Sequence, residues 1–174
     1  MLKSGALGGV LSGFPEHARL IGQLITEWNS IEHDLVLLLA GAMGQQWDVV
    51  HPMVYALRNS AARIDIMEPA LVHFYPRTYR AFDNLEDIID EARSVNRQRN
   101  KYAHSLYAVH APDGRLSMLN LDEGFAALSK KEGKQRILEL SELQEAVRRT
   151  TKLSNRLTAF MIGKRIEEPP RASS

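Results

Sequence analysis

Residues 15–42, PEHARLIGQLITEWNSIEHDLVLLLAGA, decide the fold class. Apolar residues recur at Ile21, Leu24, Trp28, Ile31, Leu35, Leu38 and Ala42, in alternating steps of three and four. An α-helix repeats every ~3.6 residues, so this spacing puts them all on one side. Glu16, Arg19, Gln23, Glu27, Asn29, Glu32, His33 and Asp34 fill the polar side. Pro15 suits a first helical turn, where its missing N–H has no intrahelical partner to lose. Gly41 and Gly44 mark the end. The segment is therefore predicted to be one long amphipathic helix.

Working outward, Met53, Val54, Leu57, Ala61, Ile64 and Leu71 form a rougher stripe between Asp48 and His73, with Asn59-Ser60 placed to interrupt it. Tyr75-Pro76-Arg77 reads as a turn. A third stripe follows at Leu85, Ile88, Ala92, Val95, Tyr102 and Leu106, with helical spacing ending after Tyr107. Ala108 to Leu119, centred on Asp113-Gly114, reads as a β-hairpin. Ser129 to Arg136 is a basic loop, and Ser141-Glu142-Leu143-Gln144 resembles a capping box. Leu143, Val147, Leu153, Leu157 and Phe160 predict a last helix ending near Gly163. The expected fold is all-α: a bundle of about four main helices with a short β-hairpin between the last two. A single domain is expected over 15–163, with a flexible arm at 1–14 and a frayed tail at 164–174. The Gly-broken apolar stretch of that arm does not read as a signal peptide.

Composition narrows the function classes. The 174 residues carry 22 Lys+Arg against 21 Asp+Glu, a formal net charge of +1. That excludes a nucleic-acid coat protein, so any RNA or DNA binding must come from a local patch. The absence of cysteine excludes disulfides, thiolate metal sites and cysteine nucleophiles, and fits a cytoplasmic location. No run of about 18 apolar residues is present, so no membrane-spanning helix is expected. The six histidines lack HExxH spacing, and there is no P-loop and no Gly-x-Ser-x-Gly elbow. No metal and no cofactor are expected.

Chemistry concentrates in Arg99-Asn100-Lys101-Tyr102-Ala103-His104. Arg99 falls within the apolar stripe. A guanidinium cannot shed its charge by deprotonation, so its burial must be offset. The candidates are a carboxylate (Glu32, Asp34 or Asp65), a wet subunit interface or an anionic ligand. Asn100 and His104 are four apart and share a face, which Arg93 and Arg97 extend backwards. Arg99 and His104 are five apart, roughly 140° around an ideal helix. They meet at one atom only if the helix ends or kinks there, or if two chains face each other. A plain alternative makes His104 a helix C-terminal cap and Arg99 a structural ion pair with helix one.

This segment resembles the motif of the HEPN superfamily: an Arg, a polar residue, a few more residues, then His. Trp28-Asn29-Ser30-Ile31-Glu32, followed by Leu35, Leu38 and Leu39, is similar to the first helix of many members. The likeness covers the layout of residues 15–163. It implies a helical domain and, for many members, a metal-independent ribonuclease of toxin and defence systems. It further implies Arg99 and His104 as the catalytic pair, supported by Asn100, Tyr102 and Glu32. Arg93, Arg97 and Lys101 become candidate RNA contacts. The implied partners are RNA, a second copy of the chain across the site, and an antitoxin or other protein. A catalytically inactive dimeric interaction or nucleotide-binding module of the same superfamily is the alternative.

Overall fold

The structure is a computed structural model that describes residues 9–75, 82–120 and 136–166. After a short 3-10 turn at Leu11–Gly13 come helices α1 (Pro15–Ala42), α2 (Trp47–Tyr55), α3 (Ser60–Phe74) and α4 (Phe82–Ala103). Strands β1 (Ser105–Val109), β2 (Leu116–Asn120) and β3 (Arg136–Ile137) follow, then helix α5 (Leu140–Ile166). The described residues are mostly helical, as the periodicity predicts, and none of their helices is long and apolar enough to cross a membrane.

Helix α1 spans the predicted range. Its terminator is Gly44, with φ +80°, followed by Gln45 at φ 65°, whose amide reaches back to the Ala40 carbonyl at 2.8 Å. Gly41 lies inside the last turn. Between Asp48 and His73 the rough stripe belongs to two helices. Asn59 caps the second of them, its Oδ1 accepting the Ala61 amide at 2.7 Å, so the described residues hold five helices rather than four. Met53, expected to face inward, is 44% exposed.

Two further corrections concern strands. Helix α4 stops at Ala103, so Leu106 and Tyr107 belong to β1 although Leu106 continues the helical spacing. The expected hairpin is present as the antiparallel pair β1–β2, in register from Ser105↔Asn120 to Val109↔Leu116. Strand β3 adds to its β2 side through Ser117↔Ile137 and Met118↔Arg136, making a three-stranded sheet of order β1-β2-β3 instead of a lone hairpin. A two-residue strand is too short to show period-two alternation. The predicted turn holds: Gly114 has φ +70°, where a side chain is disfavoured, and its amide donates to the His110 carbonyl at 2.8 Å. Ser141 falls inside α5 and not at its cap, and α5 runs past Gly163. Met1–Gly8, the Pro76-Arg77 turn, most of the basic loop and residues 167–174 lie outside the described residues.

The chain divides into two compact units. The first comprises Met1–Thr26 and Arg97–Arg149. Its core gathers Leu20, Ile21 and Leu24 of α1, Tyr102 of α4, Leu116 and Met118 of β2, Leu138, and Leu143, Ala146 and Val147 of α5. The second comprises Glu27–Asn96 and Thr150–Ser174. Its core includes Trp28, Ile31 and Leu35 of α1, Ile64 and Met67 of α3, Ile88 and Val95 of α4, and Leu157 of α5. Each core contains residues of the stripes read from the sequence, so burial of those stripes is what drives assembly.

Candidate functional site

The Arg99–His104 segment lies in the first unit. It forms the last turn of α4 and a one-residue junction, because Ala103 ends the helix, His104 is a turn residue and Ser105 begins β1. The His104 amide still donates to the Asn100 carbonyl at 3.0 Å, which carries helical hydrogen bonding one residue past the helix. Arg99 is half-buried, and its Nη1 donates to Asn100 Oδ1 at 2.8 Å. Asn100 thereby touches both motif partners, Arg99 through its side chain and His104 through its backbone.

Arg97, Asn100, Lys101 and His104 fall within roughly 100° of one side of an ideal helix. Arg97 and His104 are exposed, and Asn100 and Lys101 half-buried. Among the described residues no carboxylate forms an ion pair with Arg97, Lys101 or His104. This face therefore offers cationic groups and an imidazole to a ligand. It also sits at the negative end of the α4 dipole, which favours cations there.

Tyr102 is 3% exposed and packs in the first core. Its hydroxyl meets the side chains of Arg136 and Gln98. Burial pushes this phenol above its usual range; Glu142 adds to the effect and Arg136 opposes it. Arg136 is anchored in turn by Glu142, with Nη1 to the two carboxylate oxygens at 2.9 and 2.6 Å.

Two sequence-predicted residues are engaged elsewhere. Glu32, expected to support the site, is buried in the second unit, where its Oε2 accepts Arg63 Nη1 at 2.8 Å. Arg63 also donates from Nε to the Leu57 carbonyl at 2.7 Å and lies 4.4 Å from the Tyr55 ring centroid. Arg93, a candidate RNA contact, also belongs to the second unit. Its guanidinium meets Glu68 through Nη2 at 2.5 Å, Asp65 at 3.1 Å and Asp90 at 3.4 Å. Three carboxylates around one cation leave a local negative balance, which does not attract phosphate. Two of the three carboxylates considered for Arg99, Glu32 and Asp65, are thus paired with other arginines. Asp34 is half-buried, and burial raises its carboxyl pKa while His33 lowers it.

Sequence reasoning passed over Ser105, Tyr107, Arg136 and Glu142. The first two flank Leu106, which continues the helical spacing into β1. Arg136 reads as the end of a soluble loop, and Glu142 as part of a cap. The signal for the first two is the pair of hydroxyls directly after the motif, at Ser105 and Tyr107.

Comparison of the chain with protein-family models, with curated proteins and with solved structures finds no match.

Proposed function

We propose that this chain is a metal-independent endoribonuclease whose site is the C-terminal turn of α4, with His104 and Arg99 as the catalytic pair. The observation that carries this reading is the Arg99–Asn100 side-chain hydrogen bond in the last turn of α4, next to an exposed imidazole at the helix–strand junction. It also draws on the likeness of Arg99-Asn100…His104 to the HEPN motif.

The chemistry follows from the groups. A neutral His104 imidazole takes the proton of a ribose 2′-OH as that oxygen attacks the adjacent phosphorus. The P–O5′ bond breaks, giving a 2′,3′-cyclic phosphate. The departing 5′ oxygen collects a proton from a second imidazolium or from water. Arg99 stabilises the extra negative charge of the pentacoordinate transition state. Asn100 holds Arg99 in orientation, while Arg97 and Lys101 receive flanking phosphates. Two copies facing across this turn would supply both a base and an acid.

The half-burial of Arg99 favours a second reading, in which the arginine is structural and the domain is an inactive interaction or nucleotide-binding module. Cleavage of a mixed RNA pool in EDTA, with His104→Ala alongside, separates the two. The expected result is cleavage by the wild type and a loss of about 100-fold or more in the variant. Equal cleavage by both proteins removes His104 from the mechanism. No cleavage by folded wild type selects the inactive module.

A further inference from the structure

The end of α4 is built unlike the end of α1. Helix α1 stops at residues with positive φ, Gly44 and Gln45, the commonest way to satisfy the last carbonyls of a helix. Helix α4 has no such residue: among the described residues Gln45 is the only non-glycine with positive φ, and no glycine follows Ala103 until Gly114. A helix leaves its last four carbonyls without intrahelical partners. At α4 two of them are met by hydroxyls from β1. Ser105 Oγ donates to the Lys101 carbonyl at 2.5 Å, and Tyr107 Oη donates to the Tyr102 carbonyl at 2.6 Å. The Asn100 carbonyl takes the His104 amide. Three successive carbonyls are thus held by residues 104, 105 and 107.

We propose that Ser105 and Tyr107 are positioning residues that clamp the α4 terminus and so fix the place of His104. The inference rests on the proposed function for its catalytic consequence, but not for its structural content. His104 is the whole connection between helix and strand, so it has no slack of its own. Its position is set by the turn before it and the strand after it. The hydroxyls tie those two together across it. Tyr107 is half-buried, and the carbonyl it holds belongs to Tyr102, whose ring packs in the first core. Burial pushes the Tyr107 hydroxyl up to about 12, with Tyr102 adding to the effect, which keeps it a donor throughout the range in which an imidazole titrates. Loss of a clamp lets the last turn fray. A displacement of about 1 Å at a catalytic group is enough to cost on the order of 100-fold in rate.

Tyr107→Phe removes one oxygen and leaves the ring. In the full chain, amide hydrogen exchange at residues 102–105 is expected to speed up by about tenfold, while exchange in α1 and α5 is unchanged. RNA cleavage is expected to lose about tenfold in kcat, with KM altered less than about twofold, since phosphate contacts persist. Ser105→Ala should act in the same direction, and Ser105→Thr, which restores a hydroxyl, should return both readouts to wild type. Unchanged exchange at His104 in both Tyr107→Phe and Ser105→Ala overturns the clamp, whatever the RNA assay gives. Faster exchange with unchanged kcat keeps the clamp as structure and overturns its positioning role. If the wild type does not cleave RNA, the proposed function fails on its own, and exchange alone decides the clamp.

Discussion

Arg93 and Arg97 lie one turn apart on α4 and have opposite surroundings. Arg93 is enclosed by Asp65, Glu68 and Asp90, and Arg97 is exposed with no ion pair among the described residues. They share a residue type, a helix face and a spacing, and differ in what the rest of the chain presents to them. In the second unit α3 supplies Asp65 and Glu68. In the first, the neighbours of the motif turn include the hydroxyls of Ser105 and Tyr107. An arginine's availability to a ligand is therefore set by tertiary neighbours, and a basic stripe on a helical wheel overstates the cations a phosphate backbone would find. The second unit treats Arg63 in the same way, between Glu32 and the Tyr55 ring.

The contrast breaks most visibly at Arg63. Its side chain is 15% exposed and that of Glu32 6%, so Arg63→Ala strands a buried carboxylate. A loss of about 3–5 kcal/mol is expected in denaturant unfolding, against about 0.5 kcal/mol or less for Arg97→Ala. Similar losses for both variants would erase the distinction between committed and available arginines.

A smaller effect is expected at Arg93, whose partners are more exposed. Arg93→Ala should cost about 1 kcal/mol, most of it screened by salt. The Arg93 hydrogen bond holds the Glu68 carboxyl below the usual carboxylate range, against the opposing effect of burial. A depressed folded-state pKa stabilises the fold above the unfolded value, and this contribution is lost as pH falls through the folded value. Arg93→Ala should therefore raise the Glu68 titration seen by carboxyl NMR and flatten the acid limb of stability. A Glu68 titration unmoved by the substitution would show that Arg93 is not its determinant.

Salt dependence of RNA binding sharpens the same contrast at the smallest scale. Arg97→Ala is expected to weaken binding equally across sequences and to lower the slope of log affinity against log salt by about 1. Arg93→Ala should leave the slope unchanged, because its charge is already balanced within the protein. A reduced slope in Arg93→Ala would place that guanidinium on the nucleic acid.

The sequence was most legible where one physical signal dominates. The alternating spacing from Ile21 to Ala42 locates α1 in full, because burial of one stripe determines it. Asn59 was legible as a break, since an Asn side chain competes for backbone amides. Asp113-Gly114 was legible as a turn because few other residues accept φ +70°. The end of α4 was misplaced because Leu106 sits at helical spacing while belonging to a strand. At the motif, the sequence brought out Arg99, Asn100 and His104, and the amide link between the first two needs only adjacency. The distant partners of Glu32 and Arg93 were hidden: Arg63 lies 31 positions from Glu32, and Asp65 and Glu68 lie 28 and 25 from Arg93, and pairing at that range depends on packing that spacing does not encode.

Neither compact unit is a continuous stretch of chain. The divisions at 26/27, 96/97 and 149/150 each fall within a helix, α1, α4 and α5 in turn. The protein is thus not modular in the sense that recombination exploits. A cut or a graft at any of these points divides a helix and parts at least one unit from some of its core residues: the first at 26/27, the second at 149/150 and both at 96/97. Change in such a chain has to come by substitution and by insertion at loops. The Arg99–His104 turn accordingly cannot be moved with the whole of its unit in one continuous segment unless Glu27–Asn96 goes with it.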